Sequence, residues 1–163
     1  MTTDSIEKLF VEGLQELYYA EQQLVDALET LAEQTDDEDA SKGFSEHRDE
    51  TRDQIDRLER VFEAIGEEPQ TREDVVVKSL IEEHEQFAGE NDGDVLDRYN
   101  MSVGQKTEHY EIAAYGSLTS LAGKLGNDEA ADILAETLRE EEQALDEVTQ
   151  ASERFDEQQV AGD

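Results

Sequence analysis

Four stretches of the chain, each about 30 residues long, carry apolar side chains at alternating spacings of three and four positions. This spacing puts the apolar groups on one face of a helix. Four helices that each hide one face must pack against one another, so the pattern predicts a helical bundle. The stripe of the first stretch reads Leu14, Leu17, position 21, Leu24, Leu28 and Leu31.

Capping and helix-breaking residues set the boundaries between the predicted helices. Asp4 can cap the first helix, Thr35 to Asp37 interrupt the pattern, and Gly66 and Gly126 end later helices. The tail from Glu157 is expected to fray. The predicted long helices cover residues 4–34, 37–66, 94–125 and 127–156, and a short helix covers about 72–88 within a crossover at 67–93.

The lengths of the connections predict how the helices are arranged. Short links join the first long helix to the second and the third to the fourth, so each pair forms an antiparallel hairpin. The segment 67–93 is long enough to cross the bundle. We therefore expect an all-α, ferritin-like four-helix bundle, with one domain over residues 1–163 and a crossover that carries a short extra helix.

The net charge restricts the partners of the chain. Lys and Arg number 13 against 45 Asp and Glu, which gives a formal charge of -32. Nucleic acid and anionic membrane surfaces would be repelled, so neither is expected as a partner. Scarce lysine and abundant aspartate are typical of proteins from a high-salt cytoplasm, where salt screens the self-repulsion. We interpret the charge as adaptation to a halophilic environment.

The chain has no cysteine, which excludes disulfides, thiol catalysis and thiolate metal sites. No leader pattern and no apolar stretch of membrane-spanning length is visible in the sequence. We therefore expect a cytoplasmic protein.

Six polar residues occupy positions where the helical stripes should be apolar. A buried carboxylate without a partner costs several kcal/mol, so a group of them needs protons or cations. Carboxylates together with a histidine suit a pair of iron or manganese ions. The predicted metal ligands are Glu21, His47, Glu50, Glu108, Glu111 and Glu141.

Spacing supports this hypothesis over ordinary surface charge. About one position in four is acidic, so a single match means little. His47 and Glu50, like Glu108 and Glu111, are three residues apart and share a helix face. Each hairpin also offers one carboxylate from each of its two helices, at nearly the same level along the bundle. These pairs are Glu21 with Glu50 and Glu111 with Glu141. Two divalent ions bridged by these carboxylates would lie at mid-bundle.

Several segments resemble the YciE/YciF family, a ferritin-like group associated with stress. Residues 108–118 read EHYEIAAYGSL, which is similar to the EHYEIAxYGxL signature of that family. Residues 136–141 resemble its ETLxEE segment, residues 18–24 its YxAExQL segment, and residues 47–51 its HxxET segment. The resemblance spans about residues 5–155.

This resemblance implies a bundle with a di-iron centre and a ferroxidase-type role, with dioxygen or peroxide as oxidant. The family's carboxylates fall on Glu21, Glu50, Glu108, Glu111 and Glu141, with His47 as the nitrogen ligand. The chain departs from ferritin-like proteins that carry Glu-x-x-His on two helices, because the fourth long helix offers no histidine. Manganese could replace iron, and a homodimer is possible.

Two other functions remain open at this stage. A non-enzymatic stress or interaction bundle would hold the same carboxylates protonated or paired with Arg48, Arg52 or Arg139. A peroxidase or manganese-catalase-like enzyme would use the metals on peroxide. Among the remaining polar residues, we expect His109 to support the site indirectly and His84 to be solvated. Tyr115 could bond a ligand carboxylate, although filling core volume is its expected role.

Overall fold

The computed structural model describes residues 2–160 and consists of helices joined by short connections within that range. Three glycines adopt positive φ, and two of them, Gly66 and Gly126, stand where α2 and α4 end. The helices are α1 (Ile6–Gln34), α2 (Glu38–Ile65), α3 (Val75–Ala88), α4 (Gly93–Lys124) and α5 (Asp128–Val160).

The helix starts follow from side chains that accept backbone N–H groups. Ser5 caps α1 by accepting from Lys8 N, so the expected cap at Asp4 is wrong by one residue. Asp37 caps α2 by accepting from Ala40 N, and it belongs to the segment from Thr35 to Asp37 that was expected to supply this cap. Asp74 accepts from two backbone N–H groups and starts α3 at residue 75 rather than about 72.

The C-terminal helix is longer than expected. The sequence predicts an end near residue 156 and a frayed tail from Glu157, but α5 continues to Val160. The rest of that predicted tail, residues 161–163, lies outside the described residues.

The long helices pack as two hairpins, α1 with α2 and α4 with α5. The hairpins meet through α2 against α5 and α1 against α4, while α3 packs on α4 and α1. The predicted fold class is therefore confirmed: an all-α four-helix bundle whose single long crossover contains a short helix, the connectivity of ferritin-like bundles.

Two apolar clusters occupy opposite ends of the bundle. One contains Phe10, Phe62 and Tyr115, and the other contains Phe44 and Phe155. On every long helix, the polar residues of the candidate site fall in sequence between these clusters. The carboxylates therefore lie at mid-bundle, with an apolar cluster on either side.

Candidate metal centre

Four glutamates from three helices are buried at mid-bundle. Relative exposure is 0% for Glu21 on α1, 4% for Glu108 and 1% for Glu111 on α4, and 0% for Glu141 on α5. Glu21 follows Leu17 by four positions and Glu141 follows Leu138 by three, so the helical repeat turns both inward, and Glu108 and Glu111 share one inward face of α4. Four carboxyl groups in one apolar core form a strongly destabilising arrangement unless something neutralises them.

His47 on α2 completes the cluster. Its Nε2 atom lies 2.8 Å from Glu108 Oε1 and 3.6 Å from Glu141 Oε2. Only 12% of its side chain is exposed. One ligand atom from each of His47, Glu108, Glu111 and Glu141 lies within 4.8 Å of the others, which is close enough for a shared cation.

Attraction to a neighbouring carboxylate outweighs burial in setting the pKa of His47. Burial alone would lower the pKa of His47, but the adjacent Glu108 carboxylate raises it well above its ordinary value. Burial would likewise raise the pKa of Glu108, yet the His47 charge lowers it. Together, His47 and Glu108 form a buried ion pair that joins α2 to α4.

The other buried carboxyl groups favour the protonated form in the absence of a cation. Burial raises the pKa of Glu21 to about 7. Burial and the neighbouring carboxylate Glu141 raise the pKa of Glu111 well above its ordinary range. Burial and the Glu108 carboxylate do the same to the pKa of Glu141. These three carboxyl groups therefore hold their protons more tightly than exposed glutamates do, unless a cation takes the place of the protons.

The most informative feature is a set of buried oxygen atoms without a hydrogen-bond partner. Buried polar atoms are nearly always paired in proteins, so each exception calls for a cause. Six such atoms occur within the described residues, and five of them are carboxylate oxygens. The five are Glu21 Oε2, Glu108 Oε2, Glu111 Oε1 and both oxygens of Glu141, and the sixth is Gln54 Oε1.

The expectation that Glu50 faces the interior is wrong. Its side chain is 52% exposed, and its Oε2 atom lies 3.2 Å from His47 Nδ1 on the outer side of the ring. The inward stripe of α2 instead passes from His47 to Thr51 and Gln54, with exposures of 1% and 0%. One residue corresponds to a rotation of about 100° on a helix, so choosing position 50 over 51 turned the side chain outward.

Tyr115 both fills the core and bonds a site residue. It is fully buried, and its hydroxyl group donates to Glu21 Oε1 over 2.6 Å. The phenol fixes one oxygen of Glu21 and leaves the other, Oε2, unpartnered.

The sequence missed an arginine–glutamate pair beside the cluster. Arg57 donates to Glu140 Oε1 and Oε2 over 2.6 and 2.8 Å, and Gln54 Nε2 donates to the same carboxylate over 3.2 Å. Arg57 and Glu140 each stand one position before a residue that faces the interior. That placement was the signal from which the pair could have been predicted. Two of the arginines proposed to pair with the cluster, Arg48 and Arg52, contact Asp49 instead.

Two histidines lie elsewhere than expected. His84 is 7% exposed rather than solvated, and its Nε2 atom lies 2.8 Å from Asn100 Oδ1. Asn100 also donates to Thr35 Oγ1, so the contact ties α3 to α4 and to the α1–α2 turn. His109 is exposed, so its expected supporting role at the site is wrong.

Comparisons with known proteins identify relatives over nearly the whole chain. A family model described as "Domain of unknown function (DUF892)" matches residues 5–161. Protein YciF of Escherichia coli is 41% identical over 148 residues, which cover 90% of this chain and 89% of that protein.

Solved structures have the same architecture. The E. coli stress protein YciF aligns with a TM-score of 0.89 at 36% identity and covers 94% of this chain and 98% of its own. YcfI from Rhodopseudomonas palustris aligns with a TM-score of 0.87 at 38% identity, and the alignment covers 90% of this chain and 94% of the YcfI chain. A Xanthomonas campestris protein at 20% identity, with a TM-score of 0.76, shares the fold. Among residues 2–160, no helix is both long and apolar enough to cross a membrane.

Proposed function

Because this chain belongs to the DUF892 family and is similar to the stress protein YciF, we propose that its mid-bundle cluster binds two divalent metal ions. Iron is the proposed metal and manganese the second candidate. In this proposal the protein oxidises Fe(II) with dioxygen or peroxide as part of a cytoplasmic stress response.

The five buried, unpartnered carboxylate oxygens carry this proposal. Divalent iron and manganese take carboxylate oxygen and imidazole nitrogen as ligands, and both are present here. The ionised forms of Glu21, Glu108, Glu111 and Glu141 carry four negative charges, which two divalent ions balance. Metal ions would thus remove the orphaned acceptors and the charge repulsion together.

The geometry suggests how the ligands divide between the ions. The group of His47, Glu108, Glu111 and Glu141 is compact enough to hold one ion. Glu21 on α1 adds the fourth buried carboxylate, and with its free Oε2 it would help Glu111 and Glu141 to hold the second ion. Glu50 contacts His47 Nδ1, so it would orient the imidazole from outside.

When bound, the metals would supply the electrons that reduce the oxidant. The residues of the chain would orient the side chains that bind the metals. Tyr115 fixes one oxygen of Glu21, and Glu50 fixes the ring of His47. The apolar cluster that contains Phe10, Phe62 and Tyr115 limits access of bulk water from that end of the bundle. Because Glu108 and His47 form an ion pair in the absence of metal, ion binding must displace the proton on the His47 nitrogen that becomes a ligand.

One observation favours a second candidate, a bundle with a structural and metal-free core. The His47–Glu108 ion pair already neutralises part of the cluster. Protons on the remaining carboxyl groups would neutralise the rest. Such a protein would act in stress by binding a partner rather than by catalysis.

Metal analysis distinguishes the two candidates. The protein is purified without chelator, reconstituted with Fe(II) without oxygen, desalted and analysed for metal content. We expect two iron ions per chain, and a smaller number in Glu141→Gln. Glu142→Gln is the matched control because Glu142 is the exposed neighbour of Glu141. Wild-type protein that retains no iron or manganese would contradict metal binding and favour the structural bundle.

The oxidant is identified by a second measurement. Fe(II)-loaded protein is mixed with dioxygen or with hydrogen peroxide, and formation of Fe(III) is followed by absorbance. Oxidation by dioxygen beyond the rate of free Fe(II) supports the ferroxidase-type role. Continued turnover of peroxide, without net oxidation of iron, would favour a catalase-like enzyme instead.

A further inference from the structure

A cavity of about 630 Å³ extends from the carboxylate cluster toward the α1–α2 turn. All five helices contribute to its lining. Its walls are mostly apolar and include Leu24, Leu28, Phe44, Val103 and Val148. A volume of this size falls within the range of pockets that bind small molecules, roughly 300–1,000 Å³.

The inner end of the cavity is polar. Glu108 and Glu111 line it, are 4% and 1% exposed, and each retains an oxygen atom without a hydrogen-bond partner. A ligand that fits must therefore combine a long apolar body with one polar end. A hydroxyl group suits this end in either state of the site, because it can donate to a free carboxylate oxygen or offer a lone pair to a metal ion.

The outer lining disfavours an anionic ligand. Asp26, Asp39, Glu46, Glu85 and Glu147 outnumber the cations there. Lys42 and Arg154 are those cations, and Lys42 already pairs with Glu46 at 3.5 Å. Together with the charge of -32 on the chain, this lining repels a carboxylate head group.

We propose that this cavity binds an uncharged aliphatic alcohol, with its hydroxyl group toward Glu108 and Glu111. The apolar walls bind the chain whether or not metal is present. The inference therefore goes beyond the proposed metal chemistry and does not depend on it.

Displacement of a neutral fluorophore, N-phenylnaphthylamine, tests the proposal on the full chain, as purified and after iron loading. We expect octanol to displace the fluorophore from both forms, and octanoate to do so at least about tenfold more weakly, equivalent to about 1.4 kcal/mol. Absence of fluorophore binding, or of displacement by octanol, in either form would overturn the proposal. Equal or tighter binding of octanoate would overturn the assignment of a neutral ligand.

Cavity-filling variants establish where the ligand binds. Ala144 and Ala151 line the cavity and are partly buried, so Ala144→Phe and Ala151→Phe should each weaken octanol binding at least about tenfold. Ala135 lies on the same helix and is also partly buried, but it does not line the cavity, so Ala135→Phe is the matched control. Circular dichroism checks folding, and if one variant unfolds the other decides. Unchanged binding in a folded cavity variant would overturn the proposed location.

Discussion

Tyr115 on α4 donates its hydroxyl hydrogen to Glu21 Oε1 on α1 over 2.6 Å, and both side chains are fully buried. This bond links the two hairpins at the level of the carboxylate cluster. It also sets which oxygen of Glu21 remains free. The apolar core and the polar site are therefore joined through one residue.

Tyr115→Phe should destabilise the metal-free protein by about 1–3 kcal/mol, because Glu21 would lose its buried donor while the ring still packs. Urea unfolding after chelator treatment measures the change. Tyr18→Phe is the control, since Tyr18 bonds Glu59 at an exposed site over 2.8 Å. A loss in Tyr115→Phe no larger than in the control would contradict this role.

Glu50→Gln should leave two iron ions per chain and weaken their affinity by less than about tenfold, because Glu50 is half exposed and reaches only His47. Competition with a metal-binding dye measures the affinity. Loss of one ion from Glu50→Gln would instead show that Glu50 turns inward and ligates metal, as the sequence predicts.

The metal-free protein should lose stability as the pH rises from about 5 to 8. The pKa of Glu21 is raised from 4.5 to about 7 in the folded state, so its stabilising contribution is full below about pH 4.5 and is lost as the pH rises through about 7. The raised pKa values of Glu111 and Glu141 act in the same direction. The pKa of His47 is also raised, so its contribution too is lost with rising pH.

Urea unfolding at constant high salt, with metal removed, measures this pH dependence. Glu21→Gln should flatten the curve, and the exposed substitution Glu142→Gln should not. The lowered pKa of Glu108 acts below pH 4.5, outside the tested range. Stability that increases from pH 5 to 8 would contradict the protonated state of the cluster.

Asn100→Ala should cost about 2 kcal/mol, because Asn100 is fully buried and its loss leaves His84 and the Thr35 hydroxyl without this partner. Chemical unfolding provides the measurement. His109→Ala, at an exposed position, should stay within about 0.5 kcal/mol of wild type. A similar effect of both substitutions would indicate that the buried contact contributes little.

Salt should stabilise the folded chain, because its net charge of -32 makes the acidic side chains repel one another. The distance over which charges interact shrinks from about 10 Å at 0.1 M salt to about 3 Å at 1 M. Thermal melts in increasing potassium chloride test this expectation. Chloride is preferred to sulfate, since sulfate strengthens apolar burial by itself. A melting temperature that does not rise with chloride would contradict the halophilic interpretation.

Helical periodicity predicts most of this architecture because burial on a long helix repeats locally. Leu14, Leu17 and Glu21 on α1, and Glu111 and Tyr115 on α4, are buried as the stripes require. The prediction that Glu50 faces the interior was wrong for a different reason. Position 50 and position 51 both fit the spacing of α2, and the rotation of the helix in the bundle buries Thr51 and leaves Glu50 half exposed.

The surroundings of the site were harder to predict. His84 is buried because α3 packs on α4, a contact between segments that no local pattern encodes. Arg57 and Glu140 meet across the α2–α5 interface, which depends on how the two hairpins align. A single sequence shows which residues face inward more readily than which of them meet.

The cluster draws on α1, α2, α4 and α5, so residues from nearly the full length of the chain must come together before the site exists. Neither hairpin alone holds the complete set: one supplies Glu21 and His47, and the other supplies Glu108, Glu111 and Glu141. The two hairpins must dock in the correct register before the proposed cations could meet all their ligands, so the site is complete only in the assembled bundle. Retention of the proposed metals would therefore report on the assembly of the whole bundle.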